Sequence, residues 1–296
     1  MEKKINIVFK CNPKCWESDW ITELFGLDSF NIQDRDFVGE NCVIVSDNPR
    51  PCLFEKFIKA GINFVLINLK DEFIPSKQDH QIYNSECCRY IFRNYFRDTH
   101  SSDKISVFPL GYKYEFWRGF NEKSRLKKQS NSDRKYIWSF AGVAKKSGRR
   151  KALWTLDQIK PNFVHPVSGW DTNDSLSTPD YRDLLCNSHF IPCFRGNCSL
   201  ECFRTYESLE CGAIPIVQKS SHIEQFDFWQ RWLGNHPLPV VDDIHSNETF
   251  NYINKLMSNP NELKKKRAEV IDWWNNYKKT YKISALNTIK NSFLNV

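Results

Sequence analysis

Short runs of β-branched and aromatic residues recur along this chain, separated by segments of helical pattern, and few backbone topologies accommodate that alternation. Over the first 115 residues the apolar runs are KINIVF, CVIVSD, INFVLINL and KISVFPLGY, with FEKFIKAG and YNSECCRYIFRNYF read as helical segments between them. A strand, a crossover and a second parallel strand produce this pattern, so a doubly wound α/β architecture is expected. After residue 135 the pattern restarts. YIWSFAGV, FVHPVSGW, HFIPCF, AIPIVQ and LPVVDD read as strands, and GRRKALWTLDQI, PDYRDLLCNS, SLECFRTYESLEC, IEQFDFWQRWLG and ETFNYINKLMSN as helices. The expected organisation is a first Rossmann-like domain over 1–117, a polar, aperiodic linker over 118–135, a second Rossmann-like domain over 136–260 and a helical tail over 261–296 that packs back on the first domain. Ligands of such sheets bind beyond the carboxyl ends of the strands, which for two facing domains means a central cleft.

Composition narrows the function classes. With 41% hydrophobic and 26% charged residues over 296 positions, the chain has the makeup of globular domains and not of a disordered or fibrous protein. Its net charge of +7 suits an anionic ligand, a nucleotide or a nucleic acid alike. The apolar run near the start, Ile5 to Phe9, is far too short for a secretory segment, and no window reaches the ~20 apolar residues that span a bilayer. A cytoplasmic protein without stable membrane insertion is therefore expected. The 11 cysteines include no C-x-x-C pair and are expected as reduced thiols. The D-x-D triplet Asp34-Arg35-Asp36 falls in an irregular stretch, and His165, His189 and His222 lack ligand spacing, so no metal site is expected. Neither a P-loop nor a G-x-G-x-x-G motif is present to support a kinase or dinucleotide reading. The basic runs LKKKR (263–267) and SGRRK (147–151) lack the interleaved aromatics of a nucleic-acid surface, and no nucleic-acid partner is expected.

Charge is concentrated in one apolar region, CFRGNCSLECFRTYESLECGAIPIV (193–217). Strand HFIPCF runs into the loop Arg195-Gly196-Asn197-Cys198-Ser199 and then into a helix. Ser199 is the expected N-cap, with Glu201 in the first turn. A strand, a glycine-containing loop and a helix start make an anion site, backbone N–H groups coming from the helix and positive charge from Arg195. At 100° per residue Glu201, Arg204 and Ser208 share one helix face, opposite Cys202, Tyr206 and Leu209. The same spacing also fits a surface helix whose Glu201–Arg204 and Arg204–Glu207 pairs are merely solvated.

This stretch resembles the donor-binding signature of the exostosin-type glycosyltransferases, matching it at Cys193, Arg195, Gly196, Glu201, Arg204, Glu207, Leu209, Gly212, Ile214, Pro215 and Val217. Two further segments are similar to that family. SFAGVAKKSGRRKAL supplies Phe140, Ala141, Gly142 and an arginine, Arg149 or Arg150, opening a helix, while LKDEF, RNYF and FPLGY resemble the acceptor-half series of exostosins and related xylosyltransferases. The proline usual before Arg-Gly is replaced by Phe194. Golgi members begin with a membrane anchor that is not seen here, which suggests a bacterial or virus-encoded relative acting in the cytosol.

The resemblance implies a GT-B fold, two Rossmann-like domains with the nucleotide sugar held by the second and the acceptor by the first. On this reading Arg195 and Arg149 or Arg150 offset the diphosphate, with Gly142, Gly196, Asn197 and Ser199 beside it. Glu207 accepts the ribose hydroxyls, and Glu201 and Arg204 hold it in position or touch the sugar. Transfer needs a base for the acceptor hydroxyl, and Asp71 or Glu72, following strand INFVLINLK, stands where one is wanted, Asp71 being preferred and Asp47 the competitor. Arg93 and Tyr112 are placed near the acceptor, Arg93 binding phosphate, orienting the base or anchoring a helix to a loop. The implied activity is inverting, metal-independent transfer from a UDP-linked sugar, UDP-xylose first, to a glycan hydroxyl. UDP-glucuronic acid, UDP-galactose or a GDP-sugar are the alternative donors.

Overall fold

A computed structural model of the chain describes residues 5–12, 14–26, 30–70, 81–95, 102–146, 148–219 and 228–294. The chain divides into two compact units, Met1–Tyr114 with Lys278–Val296, and Glu115–Tyr277.

The first unit is built on six parallel strands, β1 (Ile5–Phe9), β2 (Phe30–Gln33), β3 (Cys42–Ser46), β4 (Phe64–Asn68), β5 (Cys88–Arg93) and β6 (Ile105–Val107), in the order β2-β1-β3-β4-β5-β6. Strands β3 and β4 are buried at every residue, which is why they read as unbroken apolar runs and not as alternating ones. Helix α1 (Ser18–Phe25) inserts Trp20, whose indole N–H donates to the Pro109 carbonyl at 2.8 Å. Gly111 makes room for that indole, since a Cβ there would lie 2.2 Å from it. Helix α2 (Pro51–Lys59) starts with proline at its first turn and lays Phe54 and Phe57 on Phe64, with ring centroids 5.3 and 5.8 Å apart. The segment YNSECCRYIFRNYF, expected as a helix, contains strand β5 instead. Its residues Cys88–Arg93 pair with β4 on one side and β6 on the other, so long-range pairing overrides a local pattern compatible with either state.

The second unit contains β7 (Tyr136–Gly142), β8 (Asn162–Pro166), β9 (Ser188–Cys193), β10 (Ile214–Gln218) and β11 (Val240–Val241), again all parallel, in the order β11-β10-β9-β7-β8. Between them run α4 (Arg149–Leu156), α5 (Thr178–Cys186), α6 (Phe203–Glu210), α7 (Phe228–Leu233) and α8 (Asn247–Met257), preceded by α3 (Glu122–Ser130). Trp138, Phe140, Phe190, Phe194 and Ile214 form the centre of its core.

Residues 118–135 are not a linker. They contain α3, capped by the Asn121 side chain accepting from Ser124 N, and belong to the second unit. Buried Arg134 anchors the segment by donating to the carbonyls of Ser188 at 2.6 Å and Cys211 at 2.7 Å. Helix α9 (Pro260–Leu294) closes the chain. Within the second unit its Arg267 donates to the carbonyls of Gly212 and Gln129, and within the first its Tyr281 hydroxyl donates to Val107.

Candidate functional site

In the second unit the strand order reverses between β7 and β9, the position at which crossovers leave in opposite directions and a crevice forms. Registered pairs between these two strands stop at Trp138–Phe190, so pairing has ended before their carboxyl ends. Pro192 lies past that point, where β9 needs no N–H for β7.

The loops after β7 and β9 are stitched together across the reversal. Arg149, buried at the start of α4, donates from Nη1 to the Val143 carbonyl at 2.9 Å and from Nη2 to the Arg195 carbonyl at 2.5 Å. Lys146 Nζ donates to Asn197 Oδ1 at 2.8 Å. The second loop is closed on itself by Gly196 N donating to Ser199 O at 2.8 Å. Of the two arginines left open by the sequence, Arg149 is in this arrangement and Arg150 is exposed. Helix α6 begins later than expected: Cys202 is its N-cap and Phe203 its first residue, while Ser199 Oγ accepts from Glu201 N at 3.1 Å inside the loop. A tight Ser199 turn replaces the first helical turn.

The charges on α6 are not solvated. Arg204 donates from Nη2 to the Ala141 carbonyl at 2.8 Å, its guanidinium 4.7 Å from the centre of the Phe140 ring. Gly142, at φ +146°, allows this approach, because a Cβ there would lie 2.5 Å from Arg204 Nη2. Glu207 is buried one turn further on, within electrostatic reach of Tyr181. Burial first, and then the Glu207 charge, push the Tyr181 pKa well above its ordinary value, with Arg204 acting in the opposite sense. Glu201 is fully buried and accepts at Oε1 from the Tyr206 hydroxyl at 2.6 Å and the Trp232 indole at 3.1 Å. Those contacts assign it to holding α6 in place. Glu210, which sequence reasoning missed, accepts from Trp274 at 2.8 Å and Trp117 at 3.3 Å. No local signal could have found it, since both partners are remote in sequence.

An aromatic floor lies under this cluster. Phe140 and Phe194, at the ends of β7 and β9, meet edge to face at 5.5 Å. Arg149 sits 5.8 Å from the centre of Phe194, and the His245 imidazole stacks on Phe194 at 5.6 Å and 9°. Lys146 and His245 were not expected here, whereas Phe140 belongs to the SFAG segment. Elsewhere, Asp47 is exposed after β3, and Arg93 is completely buried at the end of β5. The Tyr112 hydroxyl donates to the Glu23 carboxylate, which commits it to packing in the first unit. Asp71, Glu72 and His222 lie outside the described residues. Among the described residues no three His, Cys, Asp or Glu side chains come together as a metal cluster would.

Two doubly wound parallel sheets, the second with a cationic crossing at its strand-order reversal, define the fold of the GT-B glycosyltransferases. T4 phage BGT in complex with UDP and Mn2+ shares it with a TM-score of 0.52 at 12% identity, over 97% of this chain and 99% of that one. Anabaena Alr3699/HepE in complex with UDP does so with 0.54 at 11% identity, over 98% and 100%. The chain belongs to the family described as the RXYLT1 C-terminal domain, whose model matches residues 117–294. Ribitol-5-phosphate xylosyltransferase 1 of Homo sapiens is 25% identical over 210 residues, 64% of this chain and 46% of that protein. The Mus musculus protein of the same name is 33% identical over 95 residues, 30% of this chain and 21% of its own length. The chain thus spans less than half the length of these relatives. This placement agrees with the exostosin-type resemblance of the 193–217 motif and with the xylosyltransferase resemblance of LKDEF, RNYF and FPLGY. No helix among the described residues is long and apolar enough to cross a membrane.

Proposed function

We propose that this protein transfers a sugar from a nucleotide-diphosphate donor to a hydroxyl, with UDP-xylose as donor, inversion at the anomeric carbon and no metal requirement. The observation that carries this reading is the crossing of Lys146, Arg149, Arg195 and Asn197 at the strand-order reversal, with buried Glu207 on the helix that follows. Diphosphate departure is the main charge development in such a transfer, and prepositioned cations at the strand ends favour it without reorganising. Arg149 contributes chiefly by fixing the two loops, because its two terminal nitrogens are given to carbonyls. On this reading Lys146 and Arg195 supply the charge, and Glu207 accepts the ribose hydroxyls.

In the reaction the acceptor oxygen bonds to the anomeric carbon while the bond to the diphosphate oxygen breaks, its electron pair leaving with the diphosphate. The acceptor proton passes to a carboxylate, for which Asp71 is our first choice, with Glu72 and Asp47 behind it. Support for xylose, and for a ribitol-5-phosphate unit in the acceptor, comes from the names of the relatives. UDP-glucuronic acid, UDP-galactose and GDP-sugars are the competing donors. A thermal-shift screen against UDP, GDP and their sugars, with and without EDTA, tests the reading. Stabilisation by UDP and UDP-xylose that EDTA leaves unchanged is expected. Stabilisation by none of the nucleotides would sink the transferase reading, and EDTA-sensitive stabilisation its metal-free form.

A further inference from the structure

We infer that His245 is an additional binding residue for the donor diphosphate, offering a neutral imidazole N–H beside the cations of the β7 and β9 loops. This rests on the donor site proposed above and adds a third loop to it, the turn between β11 and α8. That turn leaves the same sheet at the same ends of its strands as the other two.

Phe194 stacks in parallel on the ring, and Gly148 stands near enough that an added Cβ would meet Cγ, Nδ1 and Cε1 at 3.5 Å, an ordinary contact distance. The backbone beneath is fixed by His245 N donating to Asp243 Oδ1 at 2.8 Å and Ser246 N donating to Asp243 O at 3.0 Å. Phe194, the residue that departs from the proline of the exostosin pattern, is thus the shelf on which the imidazole rests.

Nδ1 is enclosed and has no hydrogen-bond partner, while the residue as a whole is only half-buried, so the Nε2 edge is the one left to a ligand. An enclosed nitrogen without a partner is tolerated more readily as a lone pair than as a charged N–H, which puts the proton on Nε2. The groups facing the ring act in the same sense. Burial first, then Arg149, Arg195 and Lys151, hold its pKa below the ordinary histidine value, and Asp243 alone opposes them. A fourth cation would be repelled where three already stand. A neutral N–H adds a hydrogen bond to an anion without that repulsion.

The test is calorimetric titration of the full chain with UDP at pH 7.5, comparing the unmodified protein with His245→Phe and His245→Gln. Phenylalanine keeps the stack on Phe194 and removes the donor, while glutamine keeps an N–H. Long-range 1H–15N spectra of the imidazole, assigned by its loss in His245→Gln, report the tautomer before and after UDP. His245→Phe should weaken UDP binding about 10- to 100-fold, as loss of a hydrogen bond to a charged group does. His245→Gln should stay within about threefold of the unmodified protein, with unchanged melting temperatures and an Nε2–H tautomer that shifts on binding. Equal affinity in His245→Phe, equal weakening by both variants, or an imidazolium in the complex would overturn the inference and leave the donor site standing. No UDP binding by the unmodified protein would remove the donor site and this inference with it.

Discussion

Replacing Gly142 by alanine probes the link between the fold and the site at a single atom. The added Cβ would stand 2.5 Å from Arg204 Nη2, so the guanidinium has to leave the Ala141 carbonyl and the face of Phe140. A non-glycine residue at φ +146° carries about 1–3 kcal/mol of strain. The lost hydrogen bond from a charged donor is worth about 1.5–3 kcal/mol and the cation–π contact about 0.5–2 kcal/mol. Because a displaced guanidinium regains water, the combined loss is set at about 3–5 kcal/mol. The assay is urea unfolding followed by tryptophan fluorescence, on Gly142→Ala, Arg204→Met and the double variant. With the arginine head already gone, the alanine should lose only its strain, leaving a coupling of about 1.5–3 kcal/mol between the two positions. An alanine effect below about 0.5 kcal/mol, or one of equal size in both backgrounds, would refute the argument.

Other outcomes follow from the same contacts. Trp274→Phe withdraws the 2.8 Å indole donor from buried Glu210 and should lower stability by about 1–3 kcal/mol, whereas Trp273→Phe, which loses an exposed bond to Asn235, should stay within about 0.5 kcal/mol; urea midpoints compare them. His189 is held neutral, its pKa lowered to about 4 by burial and then by Arg134 and Arg267. The unfolded chain therefore takes up a proton that the folded one refuses between pH 6.5 and about 4, so stability falls as pH drops through that window, and His189→Leu should flatten the fall in urea midpoint. Glu207→Ala should abolish UDP binding measured by calorimetry. Asp71→Asn should retain that binding and lose turnover, and normal turnover would place the base elsewhere.

Strands such as YIWSFAGV and INFVLINL were legible because a buried parallel strand must be apolar along its length, and the chain carries that requirement locally. The RGNCSLECFRTYESLE motif was legible as a strand, loop and helix in sequence, but its division of roles was not, since packing turned Glu201 to Tyr206 and Trp232. The segment 118–135 misled because α3 is polar and the segment gains its place through remote partners: Arg134 donates to the carbonyls of Ser188 and Cys211, and the Gln129 carbonyl accepts from Arg267. YNSECCRYIFRNYF misled because its state was decided by β4 and β6 on either side.

By itself, then, the sequence determined most of the alternation of elements, the two-sheet class and the strand–loop–helix order of the 193–217 motif, all of which depend on neighbours within a dozen or so residues. Tertiary structure alone decided the division of labour among the charges. Glu201 was drawn to Tyr206 and Trp232, Glu210 to Trp117 and Trp274, and Arg149 to the carbonyls of two loops. A buried charge takes the partner that packing brings within hydrogen-bond reach, and for most of these groups that partner is far away along the chain.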